Sequence, residues 1–208
     1  MDSFYKWIYK ILGVSKGHLF LDIACGQARL VEIGAKQGVM SFGTDYSYSA
    51  LSASNLKGSL FVADGEHLPL RSGIVDRLSN IGSLEHYVDP ISGAKEMARL
   101  LHPDGLACIF VPNTFSILAT VLYAYHTGDL LDDGQPIQRY CTRRGWEKLL
   151  ESCGFQIVDV RKYEREWPLS FSDFRHYLQR PKETLHLMMS PFIPLNLAFA
   201  FAFICKRK

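Results

Sequence analysis

The sequence predicts an α/β domain in which a mostly parallel β-sheet carries helices on both faces. Three observations support this fold class. From residue 18 to residue 111, short apolar stretches that suit buried strands alternate with stretches that suit helices. The first of these strands runs directly into a helix through a turn that contains Gly26. The chain has 208 residues and is 48% hydrophobic, which suits one domain with a proper core. We therefore expect residues 1–208 to form a single domain.

The elements follow one another in a regular order. Apolar side chains at helical spacing predict a cap helix within residues 1–17, which ends at Gly13. The five strands predicted next are 18–23, 39–44, 59–63, 74–80 and 106–111. The helices predicted between them are 27–37, 47–55 and 90–101. The sequence LHPDG at 101–105 predicts a helix end and a turn before the fifth strand.

The pattern changes after Pro112. The remaining predicted elements are an apolar helix at 114–126, a polar loop at 127–141, a helix at 142–153, a strand at 155–164, an irregular aromatic and proline-rich segment at 165–194, and a strand at 197–205. The segments 114–141 and 165–194 interrupt the alternation of strands and helices. We expect both of them to form a roof over a substrate pocket.

Composition and charge exclude several classes of protein. A net charge of +2 gives no basic field, so no nucleic-acid partner is expected. The five cysteines show neither a CxxC pair nor zinc spacing, so no metal site is predicted. Free cysteines and the absence of a secretory signal pattern favour the cytoplasm. The apolar stretch 187–205 is long enough for a bilayer, but two prolines interrupt it and its second half alternates like a strand.

The turn after the first strand indicates the kind of ligand. Parallel sheets bind ligands at the carboxyl ends of their strands, which is where Asp22 lies. A dinucleotide site requires three glycines here, but this turn has only Gly26, between Ala24 and Ala28. The Asp22 carboxylate would repel a pyrophosphate and would attract an ammonium group. The sequence therefore favours a nucleotide that carries an ammonium group over NAD.

Two further acids end the next two strands. Asp45 is placed to bind the two hydroxyls of a ribose, and Asp64 is placed to accept a hydrogen bond from the amine of an adenine. Tyr46 is a candidate for the wall of the adenine pocket. Structural alternatives stay open at this point, since Asp45 is also placed to cap a helix that begins near Ser47. Asp64 is likewise a common residue type for a turn.

Six motifs, in this order, carry a resemblance to a known family. They are LDIACGQARL, GTDYS, VADGEHLPL, GSLEHYVDP, EMARLLHPDGLACIFVPN and CTRRGWEKLLESCGF. From residue 18 to about residue 164 the chain resembles the class I S-adenosylmethionine-dependent methyltransferases, in the small-molecule group related to ubiquinone and menaquinone biosynthesis enzymes. It departs from the family pattern at Ala24 and Ala28, where glycine is usual, and at Arg77 and Asn80, where apolar residues are usual.

The resemblance implies a Rossmann-like sheet of seven strands, with the last strand antiparallel and inserted beside the fifth. It also implies S-adenosylmethionine as the cofactor and S-adenosylhomocysteine as the product. The cofactor-binding positions that it implies are Asp22, Ala24, Gly26, Asp45, Tyr46, Asp64, Gly65 and Gly82. The segment NIGSLEHY after the fourth strand lacks the Asn-Pro-Pro-aromatic sequence of the family members that methylate DNA amines, so a small-molecule acceptor is favoured.

Methyl transfer to oxygen or carbon, which we favour over nitrogen, needs a base, and histidine is the usual one. His86 is the first candidate and His126 the weaker one, although a structural role for His86 is as well supported. The residues expected in the substrate pocket are Trp7, Tyr123, Tyr125, Arg139 and Tyr140. For each of these aromatic residues the alternative is that it closes one end of the hydrophobic core.

Two other functions stay open. A methyltransferase-fold protein that binds without catalysis is suggested by Ala24, Ala28 and Arg77. A peripheral membrane enzyme that acts on a lipid or a lipid-linked sugar is suggested by the apolar segment 114–125, the proline-rich stretch 187–196 and the basic terminus. We consider a membrane surface a less favoured partner than a small molecule alone. The sequence makes no prediction about the oligomeric state.

Overall fold

A seven-stranded mixed sheet forms the centre of the computed structural model, which describes residues 2–54, 56, 58–132, 134–165, 167–168 and 171–208. Its strands are β1 (Leu19–Ile23), β2 (Met40–Asp45), β3 (Leu60–Val62), β4 (Val75–Ile81), β5 (Leu101–Pro112), β6 (Phe155–Tyr163) and β7 (Ala200–Arg207). Their order is β3-β2-β1-β4-β5-β7-β6, and β7 pairs antiparallel with both β5 and β6. The predicted seven-stranded sheet, with its antiparallel last strand beside the fifth, is confirmed.

Eight α-helices accompany the sheet among the described residues. They are α1 (Asp2–Ile11), α2 (Arg29–Lys36), α3 (Tyr48–Ser52), α4 (Pro90–Leu100), α5 (Leu122–Thr127), α6 (Arg143–Ser152), α7 (Phe171–Leu178) and α8 (Pro181–Met189). Short 3-10 turns occur at Leu84–His86, Ser190–Phe192 and Leu195–Leu197, and a π-helical turn at Ile117–Val121 leads into α5. These elements place helices on both faces of the sheet, as the alternation of strands and helices predicts.

The core has one layer on each face of the sheet. On one face, α1 and α2 bury Ile8 and Leu30 against Phe20 of β1. On the other face, α4 and α6 bury Met97 and Trp146 against the central strands. The alternating side chains of β7 serve both layers, because Phe201 and Phe203 belong to the second layer while Ala202 belongs to the first.

The start of β5 differs from the sequence prediction. Residues 101–105 were expected to be a helix end and a turn, but Leu101 already pairs with Val75, and Leu106 pairs with Arg77. The residues between these two pairs form a bulge in the strand. Pro103 has no N–H for the ladder, so the extra residues loop out of the pairing instead of ending it. The predicted turn is therefore a bulge within β5.

The segment 165–194 also differs from the prediction, because it is largely helical where an irregular segment was expected. Pro181 occupies the first turn of α8, where the missing N–H of proline costs no hydrogen bond. Proline at this position is therefore compatible with the helix. Residues 166, 169 and 170 of this segment lie outside the described residues.

The predicted helix 114–126 is likewise divided into a π-helical turn and α5, and β7 begins three residues later than the predicted strand 197–205. The apolar stretch 187–205 is shared among the end of α8, two 3-10 turns and β7. Within the described ranges, no helix is long and apolar enough to cross a membrane.

Trp146 joins α6 to the carboxyl end of β5, and this contact gives a first prediction. Its side chain is 2% exposed, and its indole N–H donates to the Pro112 carbonyl at 2.9 Å. Trp146→Phe leaves that buried carbonyl without its donor, so we expect the free energy of unfolding to fall by about 1–3 kcal/mol. Urea denaturation followed by circular dichroism measures the change.

The matched control is Trp167→Phe, at a side chain that is 56% exposed. It should change the free energy of unfolding by less than about 0.5 kcal/mol. Equal losses in the two variants would contradict the anchoring role of Trp146.

Candidate active site

The turn between β1 and α2 has an unusual backbone. Ala24, Gly26 and Ala28 all lie in the left-handed region, with φ angles of 57°, 52° and 60°. Glycine adopts this region without strain, whereas each alanine is strained by about 1–2 kcal/mol. The turn thus keeps the shape that three glycines would allow. A Cβ atom added at Gly26 would have no atom within 4 Å, so the turn is open at its tip.

Two hydrogen bonds hold this turn against the end of β2. The Cys25 amide donates to the Thr44 carbonyl at 2.9 Å, and the Gly26 amide donates to Asp45 Oδ2 at 2.8 Å. The other oxygen of the same carboxylate, Oδ1, accepts the Ser47 amide at 2.8 Å. Ser47 is itself the residue that caps α3. Asp45 therefore positions the loops after both β1 and β2.

Asp22 lies on β1 beside this turn and is 4% exposed. The Ser79 hydroxyl of β4 donates to its Oδ1 at 2.6 Å. Burial raises the pKa of the Asp22 carboxyl to about 7, the Ser79 hydrogen bond lowers it in part, and the charge of Asp45 raises it further. Asp22 is thus a buried acid that takes up a proton near neutral pH and senses the charge of Asp45.

Asp64 and Gly65 form the loop after β3. The Glu66 amide donates to Asp64 Oδ1 at 2.9 Å. Asp64 therefore stabilises a turn, which is the structural alternative to its proposed role in adenine binding. A Cβ atom at Gly65 would lie 2.2 Å from the hydroxyl oxygen of Tyr87. Burial raises the pKa of Tyr87, and the charges of Asp64 and Asp45 raise it further. The acids that follow β2 and β3 therefore both act on the partly buried phenol of Tyr87.

Tyr87 is a residue that the sequence analysis did not select. The Asn80 side-chain amide donates to its hydroxyl at 3.2 Å. Its ring also lies 2.3 Å from the position that a Cβ atom at Gly93 would occupy. In the sequence, its position next to His86 is the one feature that points to it. The space for its ring comes from Gly65 and Gly93, and no local sequence pattern shows this.

The polar residues of β4 bind its carboxyl end to β1. Asn80 is fully buried, and its Nδ2 donates to the Ile23 carbonyl at 3.2 Å and to Ser83 Oγ at 2.6 Å. Its Oδ1 has no hydrogen-bond partner among the described residues. Gly82 follows, exposed and left-handed with a φ angle of 62°. The departure from the apolar pattern at Asn80 therefore has a local function in the site.

His86 connects the end of β4 with the segment 114–141. Its Nδ1 lies 2.6 Å from the Ile137 carbonyl, and since a carbonyl only accepts, Nδ1 carries the proton. Its Nε2 lies 3.9 Å from Glu85 Oε1. This geometry supports the structural alternative for His86, and its role as a base stays a prediction.

His126, the second candidate for the base, and two of the aromatic residues predicted for the substrate pocket lie on the outside of the molecule. His126 is exposed near the end of α5, where its ring contacts that of Tyr125 at 5.3 Å. Tyr125 is 82% exposed and Tyr123 is 38% exposed. Tyr46 is 81% exposed beside Asp45, where its ring is accessible to a ligand.

A cavity of about 200 Å³ lies under the segment 114–141, beside the ends of β5 and β7. Glu85, Ser116, Gln138 and Tyr140 contribute its polar groups. The Ser116 Oγ and Gln138 Oε1 atoms have no hydrogen-bond partner within the described part of the chain. The cavity therefore offers hydrogen-bonding groups to a small ligand.

The residues predicted for the substrate pocket are not all at this cavity. Tyr140 lines it and donates its hydroxyl to the Leu131 carbonyl at 3.1 Å. Arg139 donates to the Tyr87 and Val88 carbonyls and so shapes the neighbouring loop. Trp7 packs instead against Phe4 and Tyr163.

A larger apolar cavity of about 360 Å³ lies at the opposite end of the sheet. It is lined by residues at the starts of strands, among them Leu19, Leu60 and Val75. Because the acids follow the carboxyl ends of the strands, this second cavity does not belong to the same site. The described residues also contain no group of three or more His, Cys, Asp or Glu side chains that could hold a metal ion.

Comparison with known proteins shows what this chain is similar to. Residues 21–109 match a family described as a methyltransferase domain. The demethylmenaquinone methyltransferase of Mycobacterium sp. (strain KMS) is 33% identical over 118 residues, which cover 55% of this chain and 51% of that protein. A probable tRNA methyltransferase 9B of Bos taurus is 31% identical over 99 residues, which cover 46% of this chain and 21% of that protein. The matches span about half or less of the curated relatives' length.

The fold is also found among solved structures. The geranyl diphosphate C-methyltransferase from Streptomyces coelicolor A3(2), in complex with Mg²⁺, geranyl diphosphate and S-adenosyl-L-homocysteine, superposes with a TM-score of 0.68. That match covers 100% of this chain and 79% of the other at 13% identity. The chain thus has the class I methyltransferase fold, as the six motifs predict.

The strained turn gives a second prediction. Ala24→Gly should raise the free energy of unfolding by about 1 kcal/mol, because the relief of left-handed strain exceeds the added chain entropy of glycine. Ala28→Gly should be close to neutral, because Ala28 is fully buried and the lost methyl costs about 0.8 kcal/mol. Urea denaturation of both variants measures these differences.

The control is Ala53→Gly, at an exposed alanine with an ordinary φ angle of −74°. It should lower the free energy of unfolding by about 0.5–1 kcal/mol. If Ala24→Gly is destabilised as much as Ala53→Gly, the left-handed strain at residue 24 is not real.

Asp22 gives a third prediction, on pH dependence. Its pKa rises from an ordinary 3.8 to about 7 in the folded chain, so the native state holds a proton that the unfolded chain has lost between those pH values. The stability linked to this proton is fully present below about pH 4 and is lost as the pH rises through 7. In Asp22→Asn the side chain stays neutral. The free energy of unfolding of the wild type should therefore fall relative to the variant across this window, by up to about 4 kcal/mol.

Urea denaturation at a series of pH values measures this difference. Asp104→Asn, at a side chain that is 96% exposed, is the control and should follow the wild type at every pH. A constant difference between wild type and Asp22→Asn from pH 4 to pH 7 would show that Asp22 does not titrate in this window.

Proposed function

We propose that this chain, a member of the class I S-adenosylmethionine-dependent methyltransferases, transfers a methyl group from S-adenosylmethionine to a small-molecule acceptor. The observation that carries the proposal is the convergence of three acids at the carboxyl ends of β1, β2 and β3, around an open left-handed turn. Three acids at such a turn suit a cationic nucleoside far better than a dinucleotide, whose pyrophosphate they would repel.

The residues present fit S-adenosylmethionine. Asp22 and the left-handed turn at 24–28 would hold the amino acid end of the molecule, with Asn80 Oδ1 as a further acceptor. Asp45 would accept hydrogen bonds from the ribose hydroxyls while it keeps the Gly26 amide. The adenine would be bound by Asp64 and by the exposed ring of Tyr46. When bound, S-adenosylmethionine supplies a methyl group on a positively charged sulfur, which is already a good leaving group.

The protein then has to orient the acceptor and exclude water. We assign the acceptor to the cavity under the segment 114–141, because Ser116 and Gln138 offer hydrogen-bonding atoms there. Glu85 lines this cavity, and a Cβ atom at Gly82, which belongs to the proposed cofactor site, would be 3.9 Å from Glu85 Oε1. A mostly apolar cavity of about 200 Å³ with a few polar groups suits a small, largely apolar acceptor that carries a hydroxyl group. Methylation at oxygen or carbon is our preferred reaction.

A hydroxyl acceptor has to lose its proton, and His86 is our candidate for the base. Its Nδ1 proton is held by the Ile137 carbonyl, so Nε2 is the nitrogen that can accept a proton. The Glu85 carboxylate, 3.9 Å from Nε2, would stabilise the charged imidazole. His126, on the outside of α5, contributes to the reaction only if this helix moves towards the cavity.

The net charge of the chain favours a small-molecule acceptor over a nucleic-acid acceptor. A net charge of +2 over 208 residues provides no extended basic surface for a phosphate backbone. Although the relatives include a probable tRNA methyltransferase, its match covers 21% of that protein. The five free cysteines are consistent with a reducing compartment, and we place the protein in the cytoplasm.

Isothermal titration calorimetry with S-adenosylmethionine tests the proposal. The wild type should bind, and Asp45→Asn should weaken binding at least about tenfold, because it removes one charged hydrogen bond of about 1.5–3 kcal/mol. Asp22→Ala should abolish binding. The matched control Asp104→Asn exchanges the same groups on an exposed loop and should bind like the wild type.

Thermal melts establish that each variant is folded. If the folded wild type gives no binding at millimolar S-adenosylmethionine, the proposed function is wrong. If Asp45→Asn or Asp22→Ala binds like the wild type, the assignment of that acid is wrong.

A further inference from the structure

The helix α7 exposes apolar side chains where a surface helix normally exposes polar ones. Phe171, Phe174 and Leu178 follow one another at helical spacing and are 83%, 54% and 74% exposed. On the opposite side of the same helix, Asp173 and Tyr177 are each 4% exposed. The usual arrangement of an amphipathic helix is thus reversed.

The next helix repeats this arrangement. Leu185 and Met188 of α8 are 60% and 63% exposed, and Phe192, in the 3-10 turn that follows, is 85% exposed. The inner side of α8 carries both the apolar Leu187, which is 4% exposed, and His186, whose Nε2 lies 2.5 Å from Glu164 Oε2. Glu164 is 5% exposed and also accepts the Phe199 amide at 2.8 Å. These inner contacts fix which side of the helix faces outwards.

We call the outward side chains Phe171, Phe174, Leu178, Leu185, Met188 and Phe192 the apolar roof face. This face continues onto the helical part of the segment 114–141. A groove of about 350 Å³ separates Leu118 and Leu122 from Leu185 and Met189, and Leu122 is itself 44% exposed. Arg165, Glu183 and His186 also line this groove, and the exposed apolar side chains on both sides of it indicate a binding surface for an apolar partner.

The charges around the apolar roof face show which partner it suits. Glu164 and Asp173 are buried, and Glu183 is engaged by Arg165 at 3.3 Å and by His176 at 3.0 Å. Two arginines lie on the outside: Arg175 is exposed on the same helix as Phe174, and Arg180, between the two helices, has 56% of its side chain exposed while its Nη1 lies 3.3 Å from Glu183 Oε1. An apolar surface with an outward cationic rim complements the headgroups and acyl chains of an anionic membrane.

A second copy of the chain fits this surface less well. A two-fold interface places the same residues of both copies against each other. Here it would bring the outward arginines of one copy towards those of the other, while the acids at Glu164 and Asp173 stay buried. The exposed Arg175 of each copy would then face like charge across the interface, since Glu183 is already engaged within its own copy.

We propose that the apolar roof face docks this protein on the surface of an anionic lipid bilayer. The side chains of α7 and α8 enter the boundary between headgroups and acyl chains, and Arg175 and Arg180 contact the lipid phosphates. This inference goes beyond the methyl-transfer proposal and does not depend on it, because no cofactor-site residue belongs to the apolar roof face.

Co-sedimentation with vesicles tests the docking surface. The wild type should bind vesicles of equal parts phosphatidylcholine and phosphatidylglycerol, more weakly at high salt, and should bind pure phosphatidylcholine less. Met188→Ser should reduce the partition coefficient at least about tenfold, since it removes one buried apolar side chain. Met40→Ser is the matched control, because Met40 on β2 is 62% exposed and Met188 is 63% exposed. It should bind like the wild type.

A second pair of variants tests the cationic rim. Arg175→Gln should reduce binding to the anionic vesicles about fivefold, as one basic residue near the surface is worth about 1 kcal/mol. Arg71→Gln, at an exposed arginine between β3 and β4, should have no effect. Calorimetry with S-adenosylmethionine on the same variants separates this proposal from the methyl-transfer proposal, since all four should bind the cofactor like the wild type.

Three results would overturn the docking proposal. One is a wild type that stays in the supernatant with both kinds of vesicle. Another is equal partition of Met188→Ser and Met40→Ser. The third is a dimer in analytical ultracentrifugation that Met188→Ser dissociates, because the apolar roof face would then be an interface between two copies.

Discussion

The hydrogen bond from the Gly26 amide to Asp45 is the contact on which the rest of the site depends. The turn at residues 24–28 is strained at two alanines, so its backbone needs an external support to keep its shape. Asp45 provides that support from the next strand, and its second oxygen orders the start of α3. One carboxylate thus sets the position of two loops before any ligand arrives. The same group is then available as a preorganised acceptor at the edge of the sheet.

The polar residues on β4 show how the fold tolerates a buried acid. An unpaired carboxyl in the core would be costly, and the Ser79 hydroxyl compensates part of this cost for Asp22. The Asn80 side-chain amide likewise donates a hydrogen bond to the Ile23 carbonyl at the end of β1. Both residues are buried polar side chains in the centre of the sheet, so stability is lost where the site gains order. The strain at Ala24 and Ala28 adds to this loss, in line with the general finding that functional sites are locally suboptimal.

Much of the fold was predictable, because alternating strands and helices leave few topologies and the six motifs select one of them. The acids at 22, 45 and 64 were found for the same reason, since strand ends are visible in the sequence. Contacts between distant positions were not predictable from local patterns. The bond between Asp22 and Ser79 joins residues 57 positions apart, and the room for Tyr87 comes from Gly65 and Gly93. The helices α7 and α8 were missed because the proline and aromatic content of the segment 165–194 favours an irregular structure in the sequence, whereas Pro181 lies in the first turn of α8.

The antiparallel strand β7 has a consequence for how the chain folds. It lies between β5 and β6, although it follows both of them in the sequence, and its Phe201 and Phe203 fill the centre of the second core layer. During synthesis, β5 and β6 therefore have unpaired edges until residue 207 has left the ribosome. The strands β1 to β6 thus wait for the eight residues of β7 before the core can close. The order of strands in space thus makes folding a late and cooperative event, with exposed strand edges as its vulnerable stage.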